Sequence, residues 1–270
     1  MNRNANRCLL LAGLLSAAWL KTTPARAAEP APEEIMHRAF WAIKLDGSES
    51  LATLTILDGK GHQRVRQTAS VSKLYDNGRT EKRLIKFTAP ADVKGTGLLT
   101  YDYEKKTDDM WLYLPALRKT RRIVASEKSK SFMGSEFTYA DITPPTVEDF
   151  KYRMLRSEKV AGTDCWVIES VPKNDDIAEE NGFSKKIAFI GKSDYVIRKA
   201  IQYDLDGDLH KEMIVHEVKL LDEKKKRYRP THMEMVNKQN GRRSVMKMDK
   251  IRLRTDIPDD YFTTRYLERN

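Results

Sequence analysis

The chain has very little cysteine: two residues among 270, Cys8 and Cys165. Cys8 stands in an N-terminal segment with the marks of an export leader, which leaves Cys165 alone and excludes an intramolecular disulfide from the remainder. Cys165 lies in the strand-like run Asp164-Cys165-Trp166-Val167-Ile168 and is expected to be a buried core thiol. Long apolar runs are also missing. The longest, Cys8 to Leu20, is shorter than the roughly 20 residues that span a bilayer. Catalytic signatures are missing too. There is no G-x-S-x-G, no H-E-x-x-H, no phosphate-binding glycine loop and no C-x-x-C, so nothing marks an enzyme, and no catalytic residue, metal site or cofactor is expected.

Two weaker constellations fail on geometry. His210, Glu212 and His216 share one strand face, but four residues of strand separate Glu212 from His216 by about 13 Å, too far for one ion. Asp204, Asp206 and Asp208 have a glycine in the fourth place rather than the sixth and no closing Glu, which makes them a hairpin turn rather than a calcium loop.

What is present begins with the leader. Arg3 and Arg7 precede the apolar run, and Ala25-Arg26-Ala27 follows it, the pattern of a secretory signal peptide with an A-x-A cleavage site. Residues 1–27 are expected to be removed and residues 28–270 to form one soluble periplasmic domain. Cys8 is at the start of the run rather than its end, which argues against lipid anchoring. The formal charge of +10 includes Arg3, Arg7, Lys21 and Arg26, so it falls to +6 without them. The basic clusters Arg118–Arg122, Lys224–Arg227 and Arg242-Arg243 fit solvated turns, an acidic partner or anionic lipid head groups; in an exported chain no nucleic-acid partner is expected.

Pro32-Glu33-Glu34 opens a helix, with proline in the first turn and acids complementing the helix dipole. Ile35, Met36, Ala39, Phe40, Ala42 and Ile43 share its apolar face, and Trp41 falls on the other side. From Ser48 onward the period changes to that of short strands. Asp58-Gly59, Asn77-Gly78, Asp206-Gly207 and Asn240-Gly241 supply the positive-φ positions of tight hairpins. Thirteen candidate strands follow: Leu51–Leu57, Gln63–Tyr75, Glu81–Thr88, Gly97–Tyr103, Asp109–Leu114, Lys119–Val124, Tyr152–Lys159, Cys165–Pro172, Lys185–Gly191, Val196–Leu205, Leu209–Leu221, Tyr228–Asn237 and Arg243–Ile251. Alternation in Lys199–Leu205 and Met246–Ile251 predicts a sheet with one dry face. With one clear helix to cover it, a curved sheet enclosing an apolar cavity is expected. Ser126–Phe150 has no strand or helix period and carries Phe132, Phe137 and two prolines. It is either a functional loop or a plug at one end of the barrel.

Four segments in order carry a family resemblance: Pro90–Leu99, Met110–Ile123, Ser131–Phe137 and Asp259–Leu267. Together they resemble the outer-membrane lipoprotein-sorting protein family, the longer LolA-like branch of the LolA/LolB superfamily. The resemblance implies a mainly β fold, an unclosed antiparallel β-barrel with covering helices. It also implies a periplasmic carrier or chaperone for lipoprotein acyl chains or a free lipid, working with an inner-membrane RND-type or ABC-type exporter through transient membrane contact. Leu99, Tyr101, Trp111 and Tyr113 are placed on strands near the cavity, and Phe132, Met133 and Phe137 at its mouth. A barrel arginine latches the lid in the short carriers and matches no single Arg by sequence. The alternative is a periplasmic sensor or interaction module of the same fold.

Overall fold

The structure is a computed structural model that describes residues 29–143 and 146–269; the predicted leader lies outside them. The chain opens with α1 (Pro32–Ala42), followed by β1 (Gly47–Leu57), β2 (Gln63–Tyr75), β3 (Thr80–Ala89), β4 (Gly97–Tyr103), β5 (Asp109–Leu114) and β6 (Lys119–Ile123). A long connection leads to β7 (Phe150–Val160) and β8 (Thr163–Pro172), then α2 (Asp175–Asn181), β9 (Lys185–Gly191), β10 (Ile197–Tyr203), β11 (Leu209–Asp222), β12 (Arg227–Asn237) and β13 (Arg243–Leu253), with α3 (Thr264–Leu267) last. Every expected strand is present, most of them longer by one to four residues.

All pairings are antiparallel, in one 13-stranded sheet of order β6-β5-β4-β3-β2-β1-β13-β12-β11-β10-β9-β8-β7. Two meanders, β1–β6 and β7–β13, are thus fused by the pairing of β1 with β13, whose register runs from Ser48↔Leu253 to Leu57↔Arg243. Bulges break the register at Leu51/Ala52 on β1, at Met154/Arg156 on β7 and at three places between β11 and β12. An extra residue bends and twists the strand that carries it, and the sheet curls accordingly. Strands β6 and β7 form its two edges and are not paired with each other, so the barrel is unclosed.

The turns obey local chemistry. Asn77 (φ 56°) and Gly78 (φ 88°) turn β2 into β3. A Cβ on Gly78 would lie 2.7 Å from the Trp41 ring, so the indole on the far side of α1 packs on this turn, with Arg227 5.8 Å from the ring centre. Sequence reasoning missed α2, although it has clear signals. Asn174 caps it by accepting from the Ile177 amide at 2.9 Å, acids fill its first turn, and Gly182 (φ 72°) ends it.

Both faces of the sheet are covered in part. On the inner face α1 packs Ile35 and Ala39 against Trp166, Ile168, Ala188 and Ile190. Phe132, Phe137, Tyr139 and Ile142 of the long connection pack against Leu54, Phe87, Leu98, Met110 and Leu112. On the outer face the C-terminal segment lays Ile257, Phe262 and Leu267 over Leu84, Leu99 and Tyr113. Gly97 makes room for it, since a Cβ there would meet Leu267 Cδ1 at 2.5 Å. Cys165 is a fully buried free thiol, and burial raises its pKa.

Phe262 is 1% exposed under this strap. Phe262→Ala is expected to destabilise the protein by about 3–5 kcal/mol in urea denaturation through lost transfer energy and a residual cavity. Leu117→Ala, at a side chain 62% exposed, is expected to change stability by less than about 0.5 kcal/mol.

Candidate functional site

Strands β1–β3 and β7–β13 all contribute side chains to one cavity of about 320 Å³, an arrangement that only the inner face of a curled sheet permits. Its roof has two parts. Met36, Ala39, Phe40 and Ile43 of α1 and the turn after it form one, and Phe132, Phe137 and the Ala140–Thr143 stretch of the long connection form the other. That connection leaves the sheet at edge β6 and must re-enter at edge β7, so the chain path itself carries it across the opening.

Polar bonds hold the connection down. Arg83 Nη1 donates to the Ile142 carbonyl at 2.8 Å, Arg242 Nη2 to the Gly134 carbonyl at 3.0 Å, and Arg66 Nη1 to the Met133 carbonyl. The Glu136 amide donates to Ser244 Oγ at 2.9 Å. Its carbonyl accepts from Lys211 Nζ at 2.8 Å, and its carboxylate accepts from Asn237 at 3.0 Å. The fastening thus reaches β2 and β3 on one side and β11–β13 on the other. No single arginine acts as the latch.

The floor is apolar and adaptable where methionines gather. Met213, Met233, Met246 and Met248 come from three adjacent strands, and their unbranched thioethers repack around irregular shapes at low cost. Toward β1 and β2 the floor becomes polar. Ser48 Oγ lies 3.0 Å from Ser72 Oγ, and Ser50 Oγ 2.8 Å from Ser70 Oγ. Sequence reasoning singled out neither group, though both were visible as residues at i and i+2: Ser48/Ser50, Ser70/Ser72, Met233/Met235 and Met246/Met248, each pair on one strand face.

At the polar end is a cluster of charges. Lys44 Nζ bonds Asp102 at 3.0 Å, both side chains nearly inaccessible, and Arg83 bonds Glu81 at 2.6 Å. Burial pushes the Asp102 carboxyl up to about 7, against the pull of Lys44 and with the help of Asp108 and Glu81. Burial also pushes Glu81 up, but the fields of Arg83 and Arg229 outweigh it and hold this carboxyl below its ordinary value. Arg229, on β12, is lowered to about 10 by burial and by the neighbouring Arg83 guanidinium, with partial relief from Glu81.

Of the residues assigned to the cavity in advance, Phe132 and Phe137 line it. Met133 packs against the same inner core. Leu99, Tyr101, Trp111 and Tyr113 are brought together with one another, but on the outer face beneath the C-terminal strap. Their strand neighbours Leu98, Met110 and Leu112 face inward. His210, Glu212 and His216 do not converge either. Glu212 pairs with Lys199 at 2.6 Å and Lys238 at 3.1 Å, and His216 approaches Glu234 at 3.2 Å. No group of three metal-ligating side chains gathers among the described residues.

Residues 79–269 match a family model described only as "uncharacterized protein"-like. An outer membrane lipoprotein-sorting protein domain from Vibrio parahaemolyticus superposes with a TM-score of 0.80 at 29% identity, covering 88% of this chain and 98% of that one. The chain belongs to the family of that model, has the LolA-like fold and is similar to outer-membrane lipoprotein-sorting protein domains. A DUF1329 family protein from Desulfovibrio piger is as similar, with a TM-score of 0.80 and 29% identity over 87% of this chain and 97% of that one. A LolA superfamily protein from Nitrosomonas europaea shares the fold at a TM-score of 0.66 and 20% identity, covering 88% of this chain and all of its own. A comparison with curated proteins finds no match. In this LolA-like chain the family's curled, unclosed sheet encloses a cavity with a roof, and no helix among the described residues is long and apolar enough to cross a membrane.

The Asp102 carboxyl titrates near 7 when folded and near its ordinary 3.8 when unfolded. Its contribution to stability is therefore complete below about pH 4 and is lost as pH rises through 7, on the order of 4 kcal/mol over the window. Relative to Asp102→Asn, the wild type is expected to lose its advantage between pH 4.5 and pH 8 in urea denaturation. A wild-type-to-variant difference that stays constant with pH would count against the assignment.

Proposed function

We propose that this protein is a periplasmic carrier that shields acyl chains, of a lipoprotein or of a free lipid, in the inner cavity and transfers them between membranes. The observation that carries this reading is the roofed apolar cavity, floored by methionines and closed by a connection fastened through polar bonds rather than by a covalent link. Its volume lies at the lower end of the range typical of ligand pockets, about 300–1,000 Å³. Members of the LolA-like superfamily are carriers rather than enzymes, in keeping with a cavity in which no catalytic constellation was expected from sequence.

Free energy explains why such a carrier is needed. Burying a methylene contributes about 0.8 kcal/mol, so a 14-carbon chain in water costs on the order of 10 kcal/mol and does not cross an aqueous compartment unaided. Release must nonetheless occur, which favours a roof that opens at modest cost over a sealed pocket. A few exchangeable hydrogen bonds from Arg66, Arg83 and Arg242 to main-chain carbonyls suit that requirement, since each contributes only about 1–3 kcal/mol net. With cleavage after Ala27, residues 28–270 form the carrier. An inner-membrane exporter of the RND or ABC type supplies the cargo and the direction.

Organic extraction of the protein purified from its native host is expected to recover lipid, and the stripped protein is expected to bind a fluorescent fatty acid. Failure of both would sink the carrier reading. Ala52→Phe, which projects a ring from the floor into the cavity, is expected to weaken fatty-acid binding at least tenfold, read by fluorescence titration. Its thermal midpoint is expected to stay within a few degrees of wild type because the ring fills space that is empty.

A further inference from the structure

The polar end of the cavity is rich in hydrogen-bond donors, with Arg83, Arg229 and the hydroxyls of Ser48, Ser50, Ser70 and Ser72 among its lining. Arg229 lines it, and its Nε is shielded from solvent without a hydrogen-bond partner among the described residues. Glu81, the carboxylate whose field reaches it, is already bonded to Arg83 at 2.6 Å. The buried cluster sets Lys44, Arg83 and Arg229 against Asp102 and Glu81, an excess of one positive charge. Arg83 is in register with Ser72, and Ser72 with Ser48, so this charge adjoins the serine floor. Each serine pair has two hydroxyl protons and spends one on its internal bond, which leaves one per pair to donate elsewhere. The remaining charged groups at the cavity wall do not cancel the excess. Asp141 accepts from the Thr138 amide and hydroxyl at 2.8 and 2.9 Å, and Lys186 adds a further cation.

An uncompensated guanidinium beside an apolar cavity is costly unless something pairs with it. We infer that the cavity takes a single-chain amphiphile with an anionic head group, carboxylate or phosphate, which Arg229 binds with the free hydroxyls of the Ser48/Ser72 and Ser50/Ser70 pairs while the chain lies along the methionine floor. The inference rests on the carrier reading and narrows its cargo by head-group chemistry. A neutral head group would leave the Arg229 charge unpaired and gain little from the donors. A guanidinium and a carboxylate or phosphate form charge-assisted bonds of the stronger class.

The test is a calorimetric titration of the lipid-stripped protein at pH 8 with dodecanoate, dodecyl phosphate and dodecan-1-ol, which share a chain and differ in head group. The wild type is expected to bind at least one of the two anions ten or more times as tightly as the alcohol, and the preferred anion identifies the source chemistry. Arg229→Gln is expected to lose that preference while keeping its affinity for the alcohol, and Arg229→Lys to retain most of it. No carboxylate among the described residues lies within ion-pair distance of Arg229, and Glu81 keeps its bond to Arg83 in the Gln variant; a cooperative thermal melt recorded beside the titrations is expected and separates lost binding from lost folding. Equal binding of all three ligands, or an anion preference that survives Arg229→Gln, overturns the head-group inference and leaves the carrier reading standing. Absence of binding by all three overturns both.

Discussion

Strand β1 is hydrogen-bonded to β2 on one side and to β13 on the other, and the second pairing joins the beginning of the domain to its end. Without it the chain would be two separate meanders, each a sheet with two exposed edges. With it there is one sheet, long enough to curl, whose free edges are β6 and β7. The connection between those edges then has no short route along the sheet and passes over the inner face, where it becomes part of a roof. The cavity follows from the β1–β13 ladder. So does a folding cost, because the ladder brings together residues as distant as Ser48 and Leu253 and must offset a large loop-closure entropy before it contributes anything.

The inner face reconciles two demands. Toward β11–β13 it offers methionine and small apolar side chains that tolerate variable shapes. Toward β1–β3 it holds buried charges, four of them in the pairs Lys44–Asp102 and Glu81–Arg83. Buried ion pairs of this kind contribute little net stability, since desolvation consumes most of the attraction. What they do supply is a fixed electrostatic field at one end of an otherwise apolar space, and this gives the cavity a polarity along its length. Arg83 serves both functions, because the same guanidinium that pairs with Glu81 also holds the roof through the Ile142 carbonyl.

Much of this was legible in the sequence. Strand limits at Gln63–Tyr75, Gly97–Tyr103, Asp109–Leu114 and Lys185–Gly191 coincide with the structure, because period-2 alternation and Asn-Gly or Asp-Gly turns are local properties of the backbone. Helix α1 was visible for the same reason, as was the anomaly of the stretch between β6 and β7. Helix α2 spans only seven residues and buries none of them, so it has no apolar period and shows in the sequence through its caps, Asn174 and Gly182, alone. The four residues Leu99, Tyr101, Trp111 and Tyr113 are a different case. In β4 and β5 both faces are apolar, so alternation divides the residues into two sets without saying which set faces inward, and an error of one position exchanges them all.

The sequence by itself determined the strands, the turns, the first helix, the shortage of covering structure and the lack of a catalytic signature, since each depends on spacing within a few residues. Tertiary structure alone decided that β1 would pair with β13, that the C-terminal strap would take the outer face of β4 and β5, and that Arg83, Arg229 and four serines would meet at one end of a cavity. Those outcomes depend on which surfaces bury each other across hundreds of residues. No local period records that choice.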